Sequence, residues 1–404
     1  MLPKRTQRHV AFMGRTTPSI GVPPPSQRKD ARAKRAKQTI NKDIPTLLQA
    51  YPRARKGIEA SDLIVDPPAA LTGDKHKQAN GDSHTDYNEN VPETSATNHR
   101  SKASRGGPTS PNQPLSIRLR VSDTIDAAAE LHQDSRLRNT KSSRIGILNM
   151  ASPLRPGGGF LNGATSQEES LCMRTTLHPA LKEEFYRLPE IGAIYTHDVL
   201  VFRNSDAHAA DLPKSERFFV DVITAAMHRM PEIEEDEEGG KSYANDKDRE
   251  TAEQKMRAVM RIAKSKGVNS IVLGAWGCGA YGNPVSEIAA AWRRVLLGRG
   301  QDSPKAKRKH ILSGIESWDG MEVVFAIKET RVAELFANAF GDGLTTGVAS
   351  TETINEEEEG EEDGASEGEL RDKIAELESQ IAGTRSGVLK DRLQSILERL
   401  RISD

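Results

Sequence analysis

The chain has 404 residues, with 57 basic and 58 acidic side chains and 36% hydrophobic residues, so part of it lies outside any packed core and its net charge supplies no bulk field for direct nucleic-acid binding. Its two cysteines, Cys172 and Cys278, have no Cys/His cluster around them, which predicts free thiols in a reducing compartment and argues against a zinc site; no cofactor is expected. No apolar run reaches the roughly 18 residues of a membrane span and no apolar secretory core follows the N-terminus, so a soluble intracellular protein is expected, nuclear, cytoplasmic or mitochondrial.

Residues 1–29 contain no acid and read as a disordered basic tail, because Pro18 and the run Pro23 to Pro25 interrupt the amphipathic helix a transit peptide needs. RKDARAKRAKQTI, residues 28–40, is compatible with a helix that serves either as an import signal or as the solvated start of a domain. Residues 69–114 are polar and rich in Ser, Asn, Gly and Pro; they cannot bury enough apolar surface to offset ordering entropy and read as a disordered insertion.

From about 115 to 340, β-rich runs alternate with helical ones. LSIRLRV (115–121), IGILNMA (145–151), DVLVFR (198–203), RFFVDVITAA (217–226), SIVLGAW (270–276) and MEVVFAI (321–327) predict strands. Helices are predicted by SDTIDAAAELHQD, by SQEESLCMRTTL, by RETAEQKMRAVMRIAKSKG, and by NPVSEIAAAWRRVL with Asn283 as its cap. Such alternation predicts an α/β layered sheet. EIEEDEEGG (232–240) and KAKRKH (305–310) read as surface insertions. A domain over 30–342 is thus followed by an acidic linker at 343–369. The last segment, 370–404, places Leu370, Ile374, Leu377 and Ile381 on one stripe and Leu389, Leu393, Ile396 and Leu400 on another. Two short amphipathic helices there predict a partner-binding or self-association module.

PGGGFLNGATSQEES, residues 156–170, follows the strand IGILNMA and precedes a helix, at the carboxyl end of a strand where open α/β sheets bind ligands. Gly157, Gly158 and Gly159 carry no Cβ and let backbone amides approach an anion or a sugar. No Lys-Ser/Thr pair follows and the dinucleotide spacing is absent, so nucleotide triphosphate hydrolysis has no support. Ser166 with Glu169 has the spacing of a capping box, as has Thr165 with Glu168, and local spacing leaves that reading of Glu169 open beside a catalytic one. Neighbouring helical residues point about 100° apart, so Glu168 and Glu169 are expected to do different jobs. A second glycine loop, GAWGCGAYGN (274–283), joins another strand to another helix, and two such loops in one sheet can grip one extended phosphate-containing ligand.

These stretches, with NMASPLRP, LCMRTTLHPAL, FYRLPEIGAIYTHDVLVFR and VDVITAA, resemble the microbial type of poly(ADP-ribose) glycohydrolase, a branch of the macrodomain superfamily. The family signature, three glycines and then Gln-Glu-Glu after six to eight residues, is intact here with seven, Phe160 to Ser166. The resemblance implies a macrodomain-like three-layer α/β/α fold with a mixed sheet. It implies poly(ADP-ribose) or an ADP-ribosylated protein as substrate, Glu169 as catalytic acid/base and Glu168 positioning the distal ribose. Ser152, Gly157, Gly158, Gly159 and Gln167 would line that ribose and its phosphate, and Gly277, Cys278, Gly279, Ala280 and Tyr281 would form the diphosphate loop. Tyr281 stands where the microbial enzymes often carry Phe, a change that keeps the ring. The implied reaction is hydrolysis of ribose-ribose O-glycosidic bonds, from chain ends, without a metal. The alternatives are a macrodomain that binds ADP-ribose without cleaving it, which the intact Gln167, Glu168 and Glu169 disfavour, and a hydrolase of mono-ADP-ribosylated targets.

Overall fold

The computed structural model describes residues 25–69, 114–138, 143–206, 209–237, 239–298, 316–346 and 394. The tail before residue 25, the insertion and the acidic linker apart from their edges, the basic loop 305–310 and the terminal helices lie outside the described residues. Ala33–Ile354 forms one compact unit; Met1–Arg32 and Asn355–Asp404 group separately, with only residues 25–32 and 394 of them described.

Side chains alternate across a pleat, and a sheet covered on both faces therefore needs apolar residues at every position. Strand β3, Ile145–Met150, meets that demand by sending Ile145 and Ile147 into one apolar cluster and Leu148 into the opposite one. Strand β8, Ser270–Leu273, divides Val272 from Ile271 and Leu273 in the same way. The remaining strands of the sheet are β1 (Asp62–Val65), β2 (Ser116–Arg120), β4 (Gly192–Val201), β5 (Phe218–Ala225), β9 (Glu322–Ala326) and β10 (Thr345–Thr346). Their order is β1-β4-β5-β3-β8-β9-β2-β10, antiparallel at β1/β4 and β4/β5 and parallel elsewhere.

Helices cover both faces. On one side lie α4 (Thr124–Leu137) and α5 (Gln167–Arg174), burying Ile125, Leu131 and Leu171. On the other lie α6 (Asp246–Ser265), α7 (Val285–Leu297) and α8 (Thr330–Phe340), burying Met256, Trp292 and Phe336. This is the expected macrodomain-like three-layer fold with a mixed sheet.

Three elements begin where the sequence reads as broken. Helix α1 spans Pro25–Gln38 and so starts inside the stretch expected to be tail; α2 (Ile44–Ala50) and α3 (Pro52–Glu59) carry prolines in their first turns. Proline there gives up an N–H that the helix leaves unpaired in any case. Ile44 of α2 and Ala54 of α3 pack with Leu200 and Phe202 at the β4 end. Strand β4 begins six residues before the predicted run, with a bulge between Thr196 and Val199 that breaks the alternation. The acidic loop is partly ordered, since β6 (Ile233–Glu235) and β7 (Lys241–Tyr243) pair as a hairpin. The linker's first residues, too, include β10, which extends the sheet beside β2.

Candidate active site

β3 and β8 are direct neighbours, so the glycine loop leaving β3 and the one leaving β8 emerge side by side at the carboxyl edge of the parallel strands. β8 pairs with β3 only as far as Ile147, which leaves the last backbone groups of β3 without a strand partner on that side. Gln167 fills this role. Its Oε1 accepts from the Met150 amide at 2.9 Å and its Nε2 donates to the Leu148 carbonyl at 2.8 Å. The amide expected at the substrate is therefore engaged by backbone, and it docks the first turn of α5 onto the sheet. At the other end of α5, Arg174 donates to Asp123 at 2.8 Å, and Asp123 caps α4 by accepting from the Ile125 amide at 2.8 Å. Fixing both ends of so short a helix fixes what lies between.

What lies between is the carboxylate pair. Glu168 Oε2 accepts from the Ser152 amide at 2.7 Å, and Glu169 Oε1 accepts from the Gly159 amide at 2.7 Å. Ser166 occupies the cap position in extended conformation, but its side chain makes no capping bond. The capping-box pairing left open by the spacing is thus not formed; Glu169 reaches across to the glycine loop instead. The two residues are 3% and 7% exposed, and one oxygen of each, Glu168 Oε1 and Glu169 Oε2, has no hydrogen-bond partner among the described residues.

The glycines serve these carboxylates. A Cβ on Gly158 would stand 2.7 Å from Glu169 Oε1 and 2.8 Å from Glu168 Oε2, so a residue with a side chain would press on both. Gly157 and Gly158 also hold left-handed conformations, with φ of 67° and 56°. The amides expected to face a ligand anion are engaged within the protein: Gly159 donates to Glu169, Gly158 to the Arg155 carbonyl at 3.1 Å, and the Gly157 amide supports the charge on Glu168.

Burial raises the pKa of Glu168 to about 8, and the charge of Glu169 adds to the rise against the opposing amides of Ser152 and Gly157 and the Asn149 side chain. Burial raises Glu169 as well, opposed by the Gly159 amide. Glu168 is thereby set up to hold a proton above the ordinary carboxylate range, and Glu169 is shifted in the same direction.

In the second loop, Asn283 is not the cap of α7; that position falls to Pro284. Its side chain crosses the loop, donating to the carbonyls of His228 at 2.8 Å and Gly277 at 3.0 Å and accepting from the Tyr243 hydroxyl at 2.7 Å. Gly277 has φ of 82°, and a Cβ on it would lie 2.6 Å from Asn283 Nδ2. The Cys278 amide donates to Ala275 at 3.1 Å, whereas those of Gly279, Ala280 and Tyr281 find no acceptor among the described residues. Three successive free amides form a donor set suited to an anion. Tyr281 spans the two loops, its hydroxyl 3.5 Å from the Ala151 carbonyl.

Residues 73–204 match the family described as microbial-type PARG, catalytic domain. This segment is similar to that catalytic domain. The PARG match covers about a third of the chain and includes both the glycine run and the carboxylate pair. Two structures of poly(ADP-ribose) glycohydrolase from Thermomonospora curvata, one bound to the inhibitor ADP-HPD, are 21% and 22% identical to this chain. Each covers 77% of it and they match over 98% and 100% of their own length, both with a TM-score of 0.50. At this identity the likeness is one of fold. Comparison with curated proteins finds no match.

Around the PARG signature, the structure adds residues that the sequence reading passed over. Asn149, fully buried at the end of β3, supports Glu168 and donates to Thr224 at 3.2 Å; a lone amide inside the apolar run IGILNM was the signal for it. His178 packs on Phe160 with ring centroids 5.6 Å apart and sits against Gly157, and burial lowers its pKa. Tyr186 lies near Glu168, Cys172 and Tyr281; it falls in a stretch that carries the family resemblance, which assigns it no role. Among the described residues no group of three His, Cys, Asp or Glu side chains gathers as a metal ion would require, and no helix is long and apolar enough to cross a membrane.

Proposed function

We propose that the chain is a poly(ADP-ribose) glycohydrolase that cleaves ribose-ribose O-glycosidic bonds from chain ends and releases ADP-ribose. The observation that carries this reading is the meeting of two buried carboxylates at Gly158, each with one oxygen unpartnered among the described residues, beside a loop of free amides. The PARG family match supports the reaction class; the preference for chain ends rests on resemblance to the microbial branch.

In this mechanism the free amides of Gly279, Ala280 and Tyr281 hold the diphosphate, and Glu168 orients the distal ribose. Protonated Glu169 gives its proton to the departing ribose oxygen as the C–O bond breaks, and that oxygen keeps the bonding pair. An oxocarbenium-like sugar remains. The Glu169 carboxylate then takes a proton from water, whose oxygen bonds to the anomeric carbon, and the acid is regenerated. One side chain serves both steps, unlike glycosidases whose two carboxylates flank the bond from opposite sides. We place the catalytic body at 30–342, with the terminal segment 370–404 joining a partner or a second copy.

The test is Glu169→Gln, assayed on polymer and on mono-ADP-ribosylated protein. Turnover should fall by about 10² to 10⁴-fold while ADP-ribose affinity stays within several-fold. Wild-type protein that binds ADP-ribose tightly but releases none from polymer would make it a reader; release from the mono-modified substrate alone would make it a hydrolase of single modifications. Ordinary activity in the mutant would end the assignment of Glu169.

A further inference from the structure

Several buried polar atoms outside the carboxylate pair have no partner among the described residues, including the indole nitrogens of Trp276 and Trp292 and the phenol oxygen of Tyr186. The indoles are enclosed in the apolar core beneath α6 and α7. The phenol lies elsewhere. Its ring packs against the cluster containing Phe160, Leu171 and Cys172, the residues that back the glycine loop and α5. Its segment is tied to the site by the Leu188 amide, which donates to the Pro153 carbonyl at 3.0 Å, one residue beyond the Ser152 that holds Glu168. Glu168 and Tyr281 both act electrostatically on the hydroxyl.

A buried hydroxyl without a partner weakens the free protein, and folding alone gives no reason to retain it where phenylalanine would pack as well. Glu168, which acts electrostatically on the phenol, likewise has its Oε1 unpartnered among the described residues. A sugar hydroxyl both gives and accepts hydrogen bonds, so one such group can complete both, whichever protonation state Glu168 holds. A phosphate oxygen only accepts, so it completes the phenol in every case but Glu168 only while that carboxyl is protonated.

We propose that Tyr186 is a further substrate-binding residue, its O–H donating to a ribose hydroxyl that Glu168 contacts from the other side. Burial and the neighbouring carboxylate raise the phenol's pKa, which keeps it a donor throughout the neutral range. This inference rests on the reading of the site as an ADP-ribose pocket.

Tyr186→Phe in the full chain removes one oxygen and leaves the ring. ADP-ribose affinity, measured by calorimetry, should fall about fivefold to tenfold, and polymer turnover should fall with it. The melting temperature without ligand should stay level or rise, because an unpartnered buried hydroxyl has been removed. A variant that melts earlier yet binds ADP-ribose as the wild type does has lost a structural hydrogen bond, and the proposal is overturned. Unchanged affinity and turnover, in a background where the wild type binds and cleaves, overturn it while the glycohydrolase reading stands. A wild type that neither binds ADP-ribose nor shortens polymer removes both.

Discussion

Glu168 Oε2 and Glu169 Oε1 close on one point from adjacent helical positions, 2.8 and 2.7 Å from where a Cβ on Gly158 would stand. Their Cβ atoms diverge by about 100° around the helix, as the spacing predicts, but a glutamate has enough rotatable bonds to bring its head back. Backbone amides at Ser152 and Gly159 hold the two heads there. The two carboxylates thus meet at one place.

Gly158→Ala tests that convergence. The new methyl presses on both carboxylates and sits at a φ of 56°, where a left-handed conformation costs an L-residue about 1–2 kcal/mol. Turnover should collapse and the denaturant midpoint should fall. A variant with wild-type stability and activity would show that neither the conformation nor the clearance matters.

The raised pKa of Glu168 couples the site to stability. Because the folded chain retains this proton up to about 8, against 4.5 for an ordinary glutamate, it binds more protons than the unfolded chain in that window. Its contribution to stability is fully present below the lower value and is lost as pH rises through the upper one. Glu168→Gln should flatten the slope and should be the more stable protein at alkaline pH. Urea midpoints across the window read it directly; identical slopes for both proteins would show that Glu168 ionises as an exposed carboxyl does.

In the second loop, two glycines should behave differently. Gly277→Ala meets Asn283 Nδ2 at 2.6 Å with φ at 82°, and should cost about 1–3 kcal/mol, the usual scale for a strained or overpacked site. Gly279→Ala has nothing within 4 Å and no left-handed φ, and its stability should stay within about 0.5 kcal/mol of wild type. Thermal melts separate them, and equal effects would mean that the Asn283 bridge does not shape the loop.

The sequence by itself determined the layers, the two glycine junctions and the signature carboxylates, because alternating apolar runs, loop glycines and a Gln-Glu-Glu triplet are local features. It also misassigned Asn283 and left Glu169 between capping and chemistry, since a side chain's partner is chosen across space. Only the tertiary structure decided that β3 and β8 are neighbours, that Gln167 completes the β3 backbone, and that Ser152 and Gly159 hold the two carboxylates. Tyr186 shows the limit most clearly. Its ring resembles any core aromatic in the sequence, and folding alone brings its unpaired hydroxyl beside Glu168, where burial turns an ordinary phenol into an unmet hydrogen bond.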